Sequence, residues 1–203
     1  MKNKLLTLLF LTGAITGTIS AQAHEFVGTQ KCKSCHKSES KGAQYVLWEN
    51  SAHGHAFETM LSDQAIAVAM KLGLKTAPSE SPECLVCHTV GFGKGGYEVK
   101  DAAFWTPAED DRDGQKAVKR MEGLRNVGCE MCHGAGGDYM KKKVMEGIFT
   151  GEMMAADYGL LKPTEETCRG CHNKKSPTHK EFNFEKGLAK IAHPYPEGMR
   201  PGK

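Results

Sequence analysis

The sequence has little of several things, and each scarcity excludes something. Beyond residue 23 no apolar run is long enough to cross a bilayer, so the rest of the chain is not read as membrane-spanning. No cysteine stands outside four C-x-x-C pairs, which leaves no odd thiol for an intermolecular bridge. The pairs begin at residues 32, 84, 129 and 168, and the intervals between them shrink and share no sequence, which argues against a solenoid repeat. Aromatic residues make up only 7% of the chain, a thin supply for an apolar core of this length. Histidine is also scarce, nine in 203 residues, and residues 134–171 contain none.

Against that scarcity, a histidine follows every cysteine pair: Cys32-Lys-Ser-Cys35-His36, Cys84-Leu-Val-Cys87-His88, Cys129-Glu-Met-Cys132-His133 and Cys168-Arg-Gly-Cys171-His172. A disulfide framework or paired zinc knuckles would use the cysteines but leave the recurring histidine without a role. Covalent haem attachment uses all three residues. On a helical turn, positions i, i+3 and i+4 share a face, so two thiols can add across the vinyl groups of one porphyrin while the imidazole reaches its iron. The expectation is four haem c groups, held by the eight cysteines with His36, His88, His133 and His172 as proximal ligands. The porphyrins then supply apolar surface that the side chains do not.

Residues 1–23 combine Lys2 and Lys4, an apolar stretch and Ala21-Gln22-Ala23, the pattern of a secretory signal cleaved before His24. The expectation is export to the periplasm, no membrane span in the mature chain, a single domain over residues 24–193 and a flexible tail over 194–203. Cleavage removes Lys2 and Lys4 from the 27 basic residues, leaving 25 against 24 acidic ones. Each haem adds roughly one net negative charge when ferric and two when ferrous. A nucleic-acid partner is therefore not expected despite a sequence pI of 8.4. The clusters Lys31, Lys33, Lys37, Lys41 and Lys141–Lys143 read either as solvated surface or as docking patches for a redox partner.

The fold class expected is mainly α, with short helices and long loops wrapped round four haems and little or no β. A helix is predicted from Gln44 to Gly73 with a break or cap at Asn50-Ser51, placing Val46, His53, Phe57 and Met60 on one face. The glycine-rich stretch from Gly91 to Gly96 must turn, and residues 90–99 have room for one short hairpin. Asp110, Asp111 and Asp113 read as a solvated loop. A short helix is predicted over 138–146, a helix start at Thr164, and a last helix capped by Asn183 and running to His193.

Several linker motifs accompany the boxes: Trp48 and Ser51-Ala52-His53 after the first, Val90-Gly91-Phe92-Gly93 and Gly95-Gly96-Tyr97 after the second, Val127-Gly128-Cys129-Glu130 through His133-Gly134 at the third, and the segment from Phe182 to His193 after the fourth. With them, most of residues 26–193 resembles the tetrahaem cytochrome c-554 family. The resemblance implies a mostly helical fold with haems stacked in close pairs. It also implies an electron carrier, since the founding members take electrons from hydroxylamine oxidation in ammonia-oxidising bacteria. His53 matches the family's distal ligand to the third-box haem and His193 the distal ligand to the fourth-box haem. Where the family places a histidine that ligates the first haem, this chain has Gly137-Asp138-Tyr139-Met140-Lys141. Met140, Met145, Met153 or Met154, His24 or an open position then remain as alternatives there, and His179 is a further loop candidate. The family leaves the second-box iron, bound through His88, without a distal protein ligand.

Two functions follow from different classes. The first is a periplasmic electron-transfer protein passing single electrons between redox partner proteins. The alternative is a haem enzyme acting on a small nitrogen oxide, nitric oxide or hydroxylamine, at a five-coordinate iron.

Overall fold

The computed structural model describes residues 24–193 together with Tyr195 and Gly198. The expected signal at 1–23 and most of the tail expected at 194–203 lie outside the described residues. Among the described residues no helix is long and apolar enough to cross a membrane.

The architecture is helical, and no described residue lies in a strand. The only β pairing among these residues is a single antiparallel bridge between Thr89 and Arg125. The α-helices run in chain order as α1 (Gln30–His36), α2 (Gln44–Glu49), α3 (Ala56–Thr59), α4 (Asp63–Lys71), α5 (Pro82–His88), α6 (Ala102–Trp105), α7 (Arg112–Gly123), α8 (Cys129–His133), α9 (Lys142–Thr150), α10 (Glu165–Arg169) and α11 (Phe184–Ile191). Short 3-10 turns occupy Glu39–Lys41, Ala52–His55 and Ala155–Tyr158.

Local chemistry sets most of the boundaries. The long helix expected from Gln44 to Gly73 is four pieces instead. The Ser51 side chain accepts a hydrogen bond from the Gly54 amide and starts a new turn, and Ser62 does the same for Ala65 at the head of α4. Each such cap satisfies an orphan amide, worth about 1 kcal/mol, so two serines suffice to restart the chain twice. Phe57 and Met60 are buried as expected, whereas Val46 is 39% exposed, because the break turns α2 away from the face that α3 presents. The segment expected as a solvated loop at Asp110–Asp113 is the entry to the longest helix: Asp111 accepts from the Gly114 amide and caps α7. The helix expected over 138–146 is displaced to α9, and α11 ends at Ile191, two residues before His193. Thr164 forms a capping box with Thr167, and Asn183 accepts from the Lys186 amide, both where expected.

Residues 90–99 form a turn-rich loop, with the Tyr97 amide donating to the Val90 carbonyl at 2.8 Å in place of a hairpin. That loop closes the main apolar cluster of Phe57, Met60, Leu85, Val90, Tyr97, Met121 and Leu124, with Phe26, Phe92, Phe104 and Trp105 packed round it. The cluster sits on the second box, since Leu85 lies inside α5 and is fully buried. Burying a side chain of this size is worth about 2–3 kcal/mol. Elsewhere the protein has little core of its own: α1, α10 and α11 bury no residue.

Candidate haem-binding site

The first three boxes lie on short helices, α1, α5 and α8, each ending at its histidine. The fourth is half in α10: Cys168 is helical, and the His172 amide donating to the Cys168 carbonyl at 2.9 Å continues the turn through Gly170. This keeps both thiols and the imidazole of every box on one local turn.

The boxes meet in space in a definite order. Cys32 of the first lies close to Cys129 of the third: the interaction with Cys129 and then burial push the Cys32 thiol well above its ordinary range, while the same interaction holds that of Cys129 below it against the opposing effect of burial. Cys87 of the second lies against Cys171 of the fourth, with Cys87 the lowered member, at about 7, because Cys171 donates to it. Between these pairs Cys132, pushed up to about 11 first by burial and next by Cys168, links the third box to the fourth. The succession is first, third, fourth, second.

Three of the four box histidines are held in one tautomer by acceptors on their Nδ1 side. His88 donates to the Ala56 carbonyl at 2.6 Å, His133 to the Leu161 carbonyl at 3.2 Å and His36 to Gln44 Oε1 at 3.3 Å. A carbonyl can only accept, so the proton is on Nδ1 and the Nε2 lone pair is left for a metal, the arrangement metal-ligating histidines ordinarily show. The fourth, His172, is instead stacked on Phe182, with ring centroids 4.6 Å apart.

Two further histidines face boxes, with partners exchanged relative to the family match. His53 lies opposite His172, centroids 6.0 Å apart, and His193 opposite His133 at 5.9 Å. The exchange follows from which segments are tied together. Val127 donates to the His53 carbonyl, Trp48 Nε1 to the Val127 carbonyl and the Phe57 amide to Asn126 Oδ1, so the His53 turn is fixed on the Asn126–Val127 segment with its ring directed to the fourth box. Two imidazoles bonded to one metal ion at about 2 Å each have centroids roughly 6 Å apart, so both separations suit a shared iron. Burial lowers the pKa of His53, His133 and His172, favouring the neutral form that ligates. The apolar row of α11, including Leu188 at 41% exposure, gives a face suited to a porphyrin beside His193. The residues present therefore fit four covalently held haems.

The remaining candidates are placed differently. His24 donates from Nδ1 to Asp138 Oδ2 at 2.6 Å, beside a cavity of about 410 Å³ lined also by Lys141, Val144, Asp157 and Tyr158. His55 and His179 are exposed, and Met140 is 40% exposed while its neighbour Tyr139 is buried and donates to the Gly134 carbonyl. Among the described residues no second histidine ring faces His36 or His88 as His53 and His193 face their partners.

Sequence reasoning gave no structural role to Glu130, which lies inside the third box and is 2% exposed. It accepts from the amides of Val27, Gly28 and Gly136 at 2.7–2.9 Å and so pins the start of the chain to the third box. Nothing in a single sequence distinguishes such a carboxylate from a solvated one. Gly28 allows the approach: its φ is +89°, and a Cβ there would lie 3.1 Å from the Arg120 carbonyl oxygen.

Comparison with known proteins gives one consistent result. A family model described as cytochrome c554 and c-prime matches residues 31–134. Cytochrome c-554 of Nitrosomonas europaea is 32% identical over 157 residues, which is 72% of this chain and 57% of that protein, so the match spans little more than half the length of this relative. The solved structure of reduced cytochrome c554 from Nitrosomonas europaea aligns with 89% of this chain and 91% of its own, with a TM-score of 0.58 at 25% identity.

Proposed function

The chain belongs to the cytochrome c554 and c-prime family, and from that premise we propose that it is a periplasmic electron carrier, exported by the signal at residues 1–23, that takes single electrons from one redox protein and delivers them to another through four haem c groups. The observation that supports this reading best is the serial proximity of the box cysteines, first to third to fourth to second, which sets the four sites in a row rather than as isolated centres.

Bound haem c supplies a reversible one-electron iron couple. The protein's share is position and ligation. The eight cysteines would hold the macrocycles, and His36, His88, His133 and His172 would be the proximal ligands. The Gln44, Ala56 and Leu161 oxygens keep the first three rings aimed, and Phe182 holds the fourth. With haem bound, His53 would serve as the second histidine ligand facing His172, and His193 as that facing His133. Histidine pairs of this kind give low-spin centres suited to transfer without ligand exchange. Coordination at the first and second boxes is where these centres differ from the other two.

The test is a pulse experiment on the full holoprotein. Pyridine haemochrome analysis should return four haems per chain. A single electron delivered by a photoexcited donor should then redistribute among the haems faster than it leaves the protein. An electron that stays on the haem it first reached would overturn the carrier reading, and sustained turnover of nitric oxide or hydroxylamine would replace it with the enzyme.

A further inference from the structure

Arg125 makes no ion pair with any carboxylate of the described residues, although it stands in the best-packed part of the protein. Its guanidinium carbon lies 4.3 Å from the ring centroid of Trp105 and 4.8 Å from that of Phe57. Tyr97 is alongside, its phenol pushed up by burial with the guanidinium pulling the other way. Arg125 Nε is buried and has no acceptor among the described residues. A buried charged donor in this condition is costly unless a partner arrives, and the partner that a planar guanidinium matches is a carboxylate taken edge-on.

The position of Arg125 in the fold points to the second box as the source of that carboxylate. Its backbone forms the bridge to Thr89, the residue after His88, and the preceding Leu124 carbonyl accepts from the Val90 amide at 2.8 Å. Phe57, on which the guanidinium rests, follows Ala56, the residue whose carbonyl holds His88. The side chain is thus built into the wall of the second box. Haem c carries two propionates, and attachment at Cys84 and Cys87 would supply these carboxylates within reach of this wall.

We propose that Arg125 is a carboxylate clamp that binds a propionate of the second-box haem, with Trp105 and Phe57 holding the guanidinium in place. It rests on the haem reading of the boxes. As a fixed positive charge beside that haem, Arg125 favours the reduced form and sets the potential of the second box apart from the others.

The experiment compares wild-type, Arg125→Gln and Arg125→Lys holoproteins. A count of four haems in each keeps the test separate from the attachment reading. Spectroelectrochemical titration should show one midpoint potential of the four falling in Arg125→Gln and returning most of the way in Arg125→Lys. Resonance Raman spectra should show one propionate-bending band displaced in both variants, since lysine keeps the charge but loses the two-point contact. Unchanged potentials and an unchanged band would overturn the proposal. Should Arg125→Gln fail to assemble, the Raman band of Arg125→Lys decides alone. Nitrite and acetate distinguish a free anion from the propionate. If either perturbs the wild-type spectrum and not that of Arg125→Lys, the clamp serves an exogenous anion and the propionate assignment falls.

Discussion

The imidazole of His53 faces that of His172 across 6.0 Å, joining the segment after the first box to the fourth box. Replacing His53 by alanine should convert one of the four ferric haems from low to high spin, read by electron paramagnetic resonance, and leave the haem count at four. The fourth box is the expected partner. In a Cys168→Ala, Cys171→Ala background, which carries three haems, the same substitution should add no high-spin signal. A gain that persists there would place His53 on another iron.

The Glu130 carboxylate serves three amides from two segments. Glu130→Ala leaves those buried donors unpaired, at roughly 1–3 kcal/mol apiece before any relaxation. Unfolding of the holoprotein in guanidinium, followed by the Soret band, should lose on the order of 3–5 kcal/mol. A loss below about 1 kcal/mol would mean that water replaces the carboxylate without difficulty.

Asn126 combines two roles that can be separated. Its φ of +69° is tolerated by asparagine and glycine, and its Oδ1 accepts from the Phe57 amide at 2.6 Å. Asn126→Gly keeps the backbone and loses the bond, while Asn126→Ala loses both. The expected stability order is wild type, then glycine, then alanine, with each step about 1 kcal/mol. If the two variants are equally stable, backbone strain contributes nothing at this turn.

Material made without haem attachment should lack a cooperative transition. The apolar cluster surrounds one box, whereas α1, α10 and α11 bury nothing against protein. Differential scanning calorimetry of the haem-free chain should show no peak, and a sharp one would show that the polypeptide core suffices.

The sequence made the chemistry of the site more legible than its geometry. The four boxes are read directly, because attachment needs contiguous residues, and so are the caps at Thr164 and Asn183, whose partners are three residues away. The break at Ser51 was legible, but the one at Ser62 was not, since apolar spacing continues across it while the hydrogen-bonded chain does not. Helix α7 was hidden because its first turn carries Asp111 and Asp113, and only Met121 and Gly123, near its end, are buried. The structure sets His53 opposite His172 and His193 opposite His133, an arrangement that depends on tertiary ties through Val127 and Asn126 and cannot be read from spacing. Arg125 and Glu130 are ordinary charged residues in sequence, and only packing makes them unusual.

The tie between Glu130 and residues 27–28 also bears on the order of assembly. Synthesis delivers Val27 and Gly28 early and their acceptor about a hundred residues later, so this contact is among the long-range closures of the chain. Arg120 and Gly123, which precede the third box, already hold Phe26 and Thr29, and Glu130 completes the fastening of this stretch.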